Sequence, residues 1–256
     1  MLDPYCGAAP LPAEWLGRWN LDPVLIAALV GFGALHLGLL RRERVASSVD
    51  MDSRMLSAAT AWSLLAVLFV SPLCALTSAL FSARVAHHAI LVAVVAPLLV
   101  LAWPRRPMPA TIGRASGTAA FIVHMVLLWL WHAPAPYAAA LGDPRIFWVM
   151  ELSLLGSAIW LWSAVLSPAA RLGGALALLL GSVVQMGLLG AVITFARTPL
   201  YDAHLGVTTP WGLGALQDQQ LAGLIMWVPA SIPYLAAALA LLASRLAPAV
   251  ADDFAR

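Results

Sequence analysis

The 256-residue sequence contains no lysine and few charged residues of any kind. Charged side chains make up 10% of the chain, whereas soluble domains carry about 25%. The fourteen basic residues are all arginine and the formal net charge is only +2, which argues against a nucleic-acid partner. Because 62% of the residues are hydrophobic and the mean hydropathy is +0.89, this shortage of charge predicts an integral membrane protein.

Cysteine is scarce too, and the motifs that mark common enzyme sites are missing. The two cysteines, Cys6 and Cys74, belong to no CxxC or other short metal signature. The sequence has no phosphate loop, no zincin motif and no spaced nucleophile–base–orienter set, so we predict that the protein is not an enzyme. The first twenty residues lack the basic region and apolar core of a signal peptide, and we expect them to be retained.

Seven apolar segments of near membrane-spanning length fill the rest of the chain. A bilayer core about 30 Å thick needs roughly 20 apolar residues per helix. Runs such as ILVAVVAPLLVLAW lack the alternation of barrel strands, so the sequence predicts an all-α polytopic membrane helical bundle with seven transmembrane helices. Proline at positions 72, 97, 229 and 233 predicts kinks or broken turns. The predicted spans are Pro23–Leu40, Leu56–Leu76, Phe81–Ala102, Thr118–His132, Arg145–Leu166, Gly174–Ala196 and Gln220–Ala243.

Arginine placement predicts the orientation of this bundle. Ten arginines fall on one side and four on or near the other, and cytoplasmic loops carry the excess of basic residues. We therefore predict the N-terminus outside and the C-terminus inside, in a single integral membrane domain over residues 1–256. It comprises an outer segment 1–22, a seven-helix bundle 23–243 and a cytoplasmic tail 244–256. The inner group is Arg41, Arg42, Arg44, Arg54, Arg105, Arg106, Arg114, Arg171, Arg245 and Arg256, and the outer group is Arg18, Arg84, Arg145 and Arg197.

Ionisable residues inside the spans gather in the predicted outer half. Such residues are costly in lipid and mark a functional site by default. At 1.5 Å per residue, His88, His124 and Glu151 lie about 10, 12 and 9 Å below the outer face. Imidazole binds copper or zinc and thioether favours Cu(I), so these residues predict a copper site. The candidate metal ligands are His87, His88, His124, His132 and Met150; the other polar candidates are Arg84, Glu151, Asp218, Gln219 and Gln220.

Each candidate also has a purely structural interpretation. A lone histidine in a span commonly hydrogen-bonds a neighbouring helix instead of a metal. For His87 the alternative is contact with lipid headgroups, and His204 is expected to be exposed in a loop. Asp218 is placed to cap the N-terminus of span seven. His36 lies in the inner half, apart from the others.

Two pairings are left open by the sequence. An acid at the depth of Glu151 needs a partner or a proton, and Arg84 is the candidate partner. Cys6 and Cys74 both fall on the predicted outer face. An oxidising periplasm would permit a disulfide between them, and two thiols there would also bind Cu(I) transiently.

Three segments resemble a known family from about span two to the C-terminus. They are SARVAHHAILVAVVAPLLVLAWP, WHAPAPY and PLYDAHLGVTTPWGLGALQDQQLAGLIMWVPASIPYLAAAL. They resemble the CtaG-type cytochrome c oxidase assembly factors, multi-spanning proteins implicated in building active haem–copper oxidases. The most specific pattern, W-G-L-x-x-L-x-D-Q-Q-L-A-G-L-I-M-W-V-P, runs from Trp211 to Pro229, and W-H-x-P at Trp131 is a second match.

The resemblance implies a non-enzymatic assembly factor in the bacterial cytoplasmic (inner) membrane. It would assist copper insertion at the CuB centre, or maturation of the catalytic subunit, from the periplasmic side. The implied cofactor is copper, and the implied partners are the cytochrome c oxidase catalytic subunit, other copper-delivery proteins and membrane lipid. The formation of a homo-oligomer stays open.

The chain departs from the family pattern in span three. That pattern often reads S-A-H-M-x-Q-H-M, and Ser82, Ala83 and His88 match it. Arg84 replaces the first histidine and His87 replaces the glutamine, while Val85 and Ala89 replace the methionines. If the family's H-x-x-x-H pair binds copper, this chain has lost half of the pair.

Two other functions compete with assembly. The first is a haem-binding membrane electron carrier, in which His88 and His124 would be the two axial ligands. The second is a transporter or channel for copper or another solute. The sequence shows no internal repeat and few polar residues in the inner half, which disfavours a continuous path.

Overall fold

Long apolar helices make up most of the structure, a computed structural model that describes residues 4–46, 51–103 and 110–254. These residues contain α- and 3-10 helices and one π-helical segment, Leu91–Val95, but no strand. The α-helices are α1 Pro23–Ala46, α2 Met51–Val70, α3 Pro72–Ala79, α4 Phe81–Ile90, α5 Ala96–Leu101, α6 Ala110–His132, α7 Pro134–Gly142, α8 Pro144–Val165, α9 Leu172–Thr194, α10 Ala215–Trp227 and α11 Ile232–Phe254.

In the part of the chain that the structure describes, six helical stretches are long and apolar enough to cross a membrane. A seventh span exists if the bent pair Gly117–His132 and Pro134–Gly142, which turns by 74°, counts as one. The all-α, multi-spanning fold class is therefore confirmed. The predicted orientation and the single-domain division stay predictions, and Arg105, Arg106 and Arg256 lie outside the described residues.

Proline explains most of the breaks in these helices. Those at Pro72, Pro97 and Pro229 were predicted, the one at Pro134 was not, and Pro233 lies within the first turn of α11. Ala133 precedes Pro134 and adopts an extended conformation, which ends α6 and bends the chain into α7. The π-helical segment lies just before Pro97, which cannot donate a backbone hydrogen bond to the preceding turn. Pro72 begins α3 after a break at Ser71, and Pro229 begins a 3-10 turn that separates α10 from α11.

One end of the bundle carries the Cys6–Cys74 disulfide, and we call it the disulfide face. The N-terminal segment folds across this face, since the Tyr5 hydroxyl donates to Asp22 at 2.6 Å and the Trp211 indole donates to the Pro10 carbonyl at 3.2 Å. The sequence left the state of the two cysteines open, and the structure pairs them. The disulfide joins the segment before α1 to α3, across a sequence separation of 68 residues.

Two glycines bring α9 and α10 into close contact. A Cβ atom added to Gly190 would lie 2.7 Å from the carbonyl oxygen of Gly223, too close for any side chain. Small residues at such interfaces let membrane helices approach and gain dispersion contacts. Because α10 also packs against α4, this contact fixes the position of the helix that carries the ionisable residues.

We expect Gly190→Ala to destabilise the protein by about 1–3 kcal/mol, because the new methyl group overpacks the α9–α10 contact. Thermal unfolding in detergent measures the effect. The matched control is Gly156→Ala on α8, where an added Cβ has no neighbour within 4 Å. An equal response of both variants would show that the α9–α10 contact is not tight.

Candidate functional site

A buried group of ionisable side chains lies about 10 Å below the disulfide face, at 1.5 Å per residue from the starts of α4 and α8. Glu151 on α8 is its centre. The Glu151 Oε1 atom lies 3.4 Å from Arg84 Nη1 and 3.1 Å from His88 Nε2, and Oε2 lies 3.5 Å from His87 Nε2. The side chains of all four residues are at most 3% exposed. The predicted pairing of Arg84 with Glu151 is therefore confirmed.

The His132 ring completes this group, which we call the His–Glu cluster: Arg84, His87, His88, His132 and Glu151. The ring centroids of His88 and His132 lie 5.6 Å apart, although the two residues come from different helices. His132 is the last residue of α6 and is 3% exposed. We predicted from depth that His88, His124, His132 and Glu151 would converge. The structure brings His88, His132 and Glu151 together, but His124 lies outside the group.

Hydrogen-bond partners indicate which ring nitrogens carry protons. The Nδ1 atom of His132 lies 2.7 Å from the Leu128 carbonyl oxygen, so Nδ1 donates and Nε2 keeps a lone pair. Nε2 of His88 donates to Glu151, which leaves the lone pair on its Nδ1 when the ring is neutral. Neither His132 Nε2 nor His88 Nδ1 has a hydrogen-bond partner.

His124 lies apart from this group and is fully buried. Its Nδ1 atom is 2.8 Å from the Ser157 hydroxyl, which itself donates to the Leu154 carbonyl on α8. This contact between helices is the structural role that the sequence offered as an alternative to metal binding. His88 has its ring contacts with His87 and His132, not with His124.

Asp218 positions the helix that carries the cluster. Its carboxylate accepts hydrogen bonds from the Phe81 backbone at 2.7 Å, from the Ser82 backbone at 3.3 Å and from the Ser82 hydroxyl. The prediction that Asp218 caps span seven was wrong. It lies inside α10 and caps the N-terminus of α4, because the N–H groups at the start of that helix have no intrahelical acceptor.

Two other expectations about histidines were also wrong. His204 is 1% exposed rather than solvent-exposed, because it accepts from the Tyr137 hydroxyl at 2.6 Å and donates to the Ala79 carbonyl at 3.2 Å. Its removal from water lowers its pKa to about 4. His87 is 3% exposed and packs against Phe69, with ring centroids 4.9 Å apart, so it does not face headgroups.

The other predicted site residues either hold parts of the fold together or make no contact that assigns them a role. Gln219 accepts from the Leu200 backbone at 2.6 Å and donates to the Ile193 carbonyl at 3.1 Å, which ties the 195–214 connection to α9 and α10. Met150, which precedes Glu151 in the sequence, is buried in the core. Gln220 is partly buried. Cys6 and Cys74 are consumed by their disulfide, so they offer no thiol for Cu(I) in this state.

Sequence reasoning missed the aromatic residues that close the cluster from the disulfide face. The Tyr201 hydroxyl donates to the His132 carbonyl at 2.7 Å, and the Tyr201 ring stacks on Phe81 at 3.8 Å between centroids. Burial raises the pKa of Tyr201, which keeps its hydroxyl protonated as a donor. The signal is present in the sequence, since Tyr137 and Tyr201 lie in two proline-containing segments that also carry Trp131 and Trp211.

Chemically, the cluster combines one fixed positive charge with one carboxylate and three imidazoles, each with a ring nitrogen that has no hydrogen-bond partner. Arg84 balances Glu151, so the histidines can stay neutral and able to bind a metal. Across residues 4–46, 51–103 and 110–254, no group of three or more His, Cys, Asp or Glu side chains has the arrangement of a metal site. The geometry therefore suits a two-ligand contact better than a closed, permanent metal centre.

Residues 34–247 match the model of a protein family described as cytochrome c oxidase caa3 assembly factor. The match covers most of the chain and includes every member of the His–Glu cluster. It confirms the resemblance stated from the sequence and begins within α1, earlier than span two. No curated protein and no solved structure matches the chain significantly.

We expect Glu151→Gln to destabilise the protein by about 3–5 kcal/mol, because it leaves the Arg84 charge buried without a counter-charge. The double variant Arg84→Met/Glu151→Gln should be more stable than Glu151→Gln alone, as measured by unfolding in detergent. The control is Glu14→Gln, whose ion pair with Arg18 at 3.0 Å is about half exposed and should matter by only about 0–1 kcal/mol. Additive effects of the two changes at positions 84 and 151 would contradict the pairing.

The buried His204 should make the stability of the protein depend on pH. Its pKa is about 4 in the folded protein, against an ordinary value of 6.5, so between these values the unfolded chain binds more protons. Stability contributed by neutral His204 is present above pH 6.5 and is lost as pH falls towards 4. We expect His204→Gln to remove about 2 kcal/mol of the acid-induced loss between ~pH 7 and ~pH 4.5. Parallel pH profiles of both proteins would contradict this expectation.

Proposed function

The chain belongs to the cytochrome c oxidase caa3 assembly factor family, and on that premise we propose that it hands copper to the oxidase catalytic subunit through the His–Glu cluster. Copper is the cargo in this proposal and not a resident cofactor. The protein itself performs no chemical conversion; it binds the ion, holds it away from water and releases it to the subunit. The proposed entry side is the disulfide face.

The observation that carries the proposal is the pair of free lone pairs on His88 Nδ1 and His132 Nε2. Both side chains are almost fully buried, their rings are in contact and neither atom has a hydrogen-bond partner. A buried polar atom without a partner is uncommon in a native structure and calls for an explanation such as a ligand. Imidazole nitrogen is a ligand that suits copper.

Glu151 acts in this proposal as an outer-shell carboxylate. Metal-binding histidines usually donate their second ring nitrogen to a carboxylate or a carbonyl, which fixes the tautomer and the ring orientation. His88 donates to Glu151 and His132 donates to the Leu128 carbonyl, so both rings already have this arrangement. The two ligand atoms are thus prepared for an ion without any change of tautomer.

A site with two protein ligands favours transfer over storage. Structural metal sites close the coordination shell with four protein ligands, whereas a site that leaves positions open can exchange its ion. Arg84 also limits how tightly a cation is held, because its guanidinium already neutralises the Glu151 carboxylate. Both features suit an assembly factor that must give the ion up.

The periplasmic direction is supported by two independent features. Among the described residues, arginines are more numerous towards the end opposite the disulfide face, as expected of cytoplasmic loops. The Cys6–Cys74 disulfide lies on the face that would then be outside, and disulfides persist in oxidising compartments such as the bacterial periplasm. The proposed location is therefore the bacterial inner membrane, with the cluster in the periplasmic half.

The haem and transport alternatives receive less support. A haem carrier would need His88 and His124 as a ligand pair. The Nε2 atom of His124 has no hydrogen-bond partner, but the ring that His88 contacts on α6 is that of His132 and not that of His124. A transporter would need polar residues towards the inner end. There His36 has both ring nitrogens hydrogen-bonded, to the Ala102 carbonyl and the Trp62 indole, at 3.2 Å each.

We expect the purified protein to bind one Cu(I) per chain. Loss of an outer-shell partner lowers metal affinity roughly 10–100-fold, and His132→Ala, which removes a ligand, should lower it by more than that. Ascorbate should be the reductant, because thiol reagents would open the Cys6–Cys74 disulfide and create new copper ligands. His204→Gln is the matched control, since both ring nitrogens of this buried histidine are already used.

The same variants should be compared in cells that lack the chromosomal copy of the chain. Wild-type protein should restore the copper content and activity of the oxidase, His204→Gln should do the same, and His132→Ala should fail. Full oxidase activity without the chain would refute the assembly function. Restoration by His132→Ala would refute the copper route but leave assembly standing, and a Soret band dependent on His124 would favour the haem alternative.

A further inference from the structure

A long apolar groove separates α1 from α8 and has a cavity volume of about 980 Å³. It is lined by side chains of α1, α2, α8 and the 81–101 stretch, and α1 packs mainly on α2. Phe32 and Leu35 on α1 and Leu152 on α8 are 63%, 59% and 61% exposed at its edge. The groove therefore opens sideways, in the direction that lipid or a membrane helix would occupy.

The groove extends across the whole apolar thickness of the protein. Its lining on α1 runs from Leu25 to Glu43, which at 1.5 Å per residue is about 27 Å. A bilayer core is about 30 Å thick, so the groove matches the length of one transmembrane helix. An acyl chain of a phospholipid fills one leaflet only, about half of that length.

The groove also reaches the His–Glu cluster. Glu151 lines it, and so does Phe69, whose ring packs against His87. The Glu151 Oε2 atom lies 3.5 Å from His87 Nε2, but it is buried and has no hydrogen bond, and neither ring nitrogen of His87 has one. A lipid tail offers no hydrogen-bond donor to this carboxylate, whereas a polar side chain on a neighbouring helix does.

We propose that this groove receives one transmembrane helix of the oxidase catalytic subunit, and that this helix carries a hydrogen-bond-donating side chain at the depth of Glu151. The length of the groove favours a transmembrane helix over an acyl chain. The Glu151 oxygen without a hydrogen bond favours a helix that carries a polar residue. Docking there places the subunit beside Glu151, which accepts a hydrogen bond from His88. The proposal rests on the assembly function proposed above and adds the surface on which the subunit binds.

Site-specific photo-crosslinking in intact membranes tests this surface. The photoreactive residue p-benzoylphenylalanine replaces Leu35 or Leu152 at the groove, and Val184 or Leu188 on α9 as controls that are exposed to a similar degree. We expect mass spectrometry to identify an adduct with the oxidase catalytic subunit from both groove positions, in about tenfold excess over the α9 positions.

Ala28→Trp adds a second arm, because Ala28 lines the groove and an indole there would fill it. It should lower the adduct yield at Leu152 about tenfold, whereas Ala236→Trp on the exposed side of α11 should not. Thermal unfolding and the intact disulfide confirm that both variants are folded. If Ala28→Trp does not fold, the crosslinking positions alone decide.

Three outcomes would overturn the groove proposal: equal subunit adducts from the groove and α9, adducts with phospholipid only, or adducts with a second copy of this chain. These outcomes are distinguishable from failure of the proposed function. When oxidase assembly requires the chain but the groove yields no subunit adduct, only the docking surface is wrong. When assembly proceeds without the chain, the underlying function is wrong.

Discussion

The ion pair between Arg84 and Glu151 constrains the rest of this structure. An ionised side chain in the interior of a membrane protein is costly, and each of these two residues is tolerated because the other lies beside it. The pair joins α4 to α8 across 67 residues of sequence. Once Glu151 is fixed as a carboxylate, it orients His88 through a hydrogen bond and brings His87 within 3.5 Å.

A second carboxylate secures the first. Asp218 holds the N-terminal turn of α4 from within α10, and the close approach of Gly190 and Gly223 holds α10 against α9. The position of the cluster thus depends on α4, α10 and α9 in turn, and aromatic residues close it from the disulfide face. Rigid support of this kind keeps ligand atoms in position without closing the coordination shell. What stays unsatisfied, the free nitrogens and the Glu151 Oε2 atom, is what a cargo ion and a client helix would complete.

The Arg84 position also gives physical meaning to the departure from the family pattern in span three. A histidine there would add a neutral ligand, whereas arginine adds a permanent charge that faces Glu151 at 3.4 Å. The exchange replaces a neutral imidazole with a counter-ion for the carboxylate. His132, brought in from α6, then supplies the second imidazole beside His88. The proposed ligand pair therefore joins two helices instead of repeating along one.

Composition and periodicity alone determined that this chain is an all-α membrane protein, because unbroken apolar runs of bilayer length have no other stable arrangement in lipid. They also indicated that Arg84 could neutralise Glu151, since depth along a helix follows from residue count. Which helix faces which was decided only by the tertiary structure. Asp218 caps α4 rather than its own helix, and His204 is buried by Tyr137, because these contacts join residues that are far apart in sequence. The groove likewise arises from the packing of α1 on α2. This packing cannot be predicted from the sequence of either span alone.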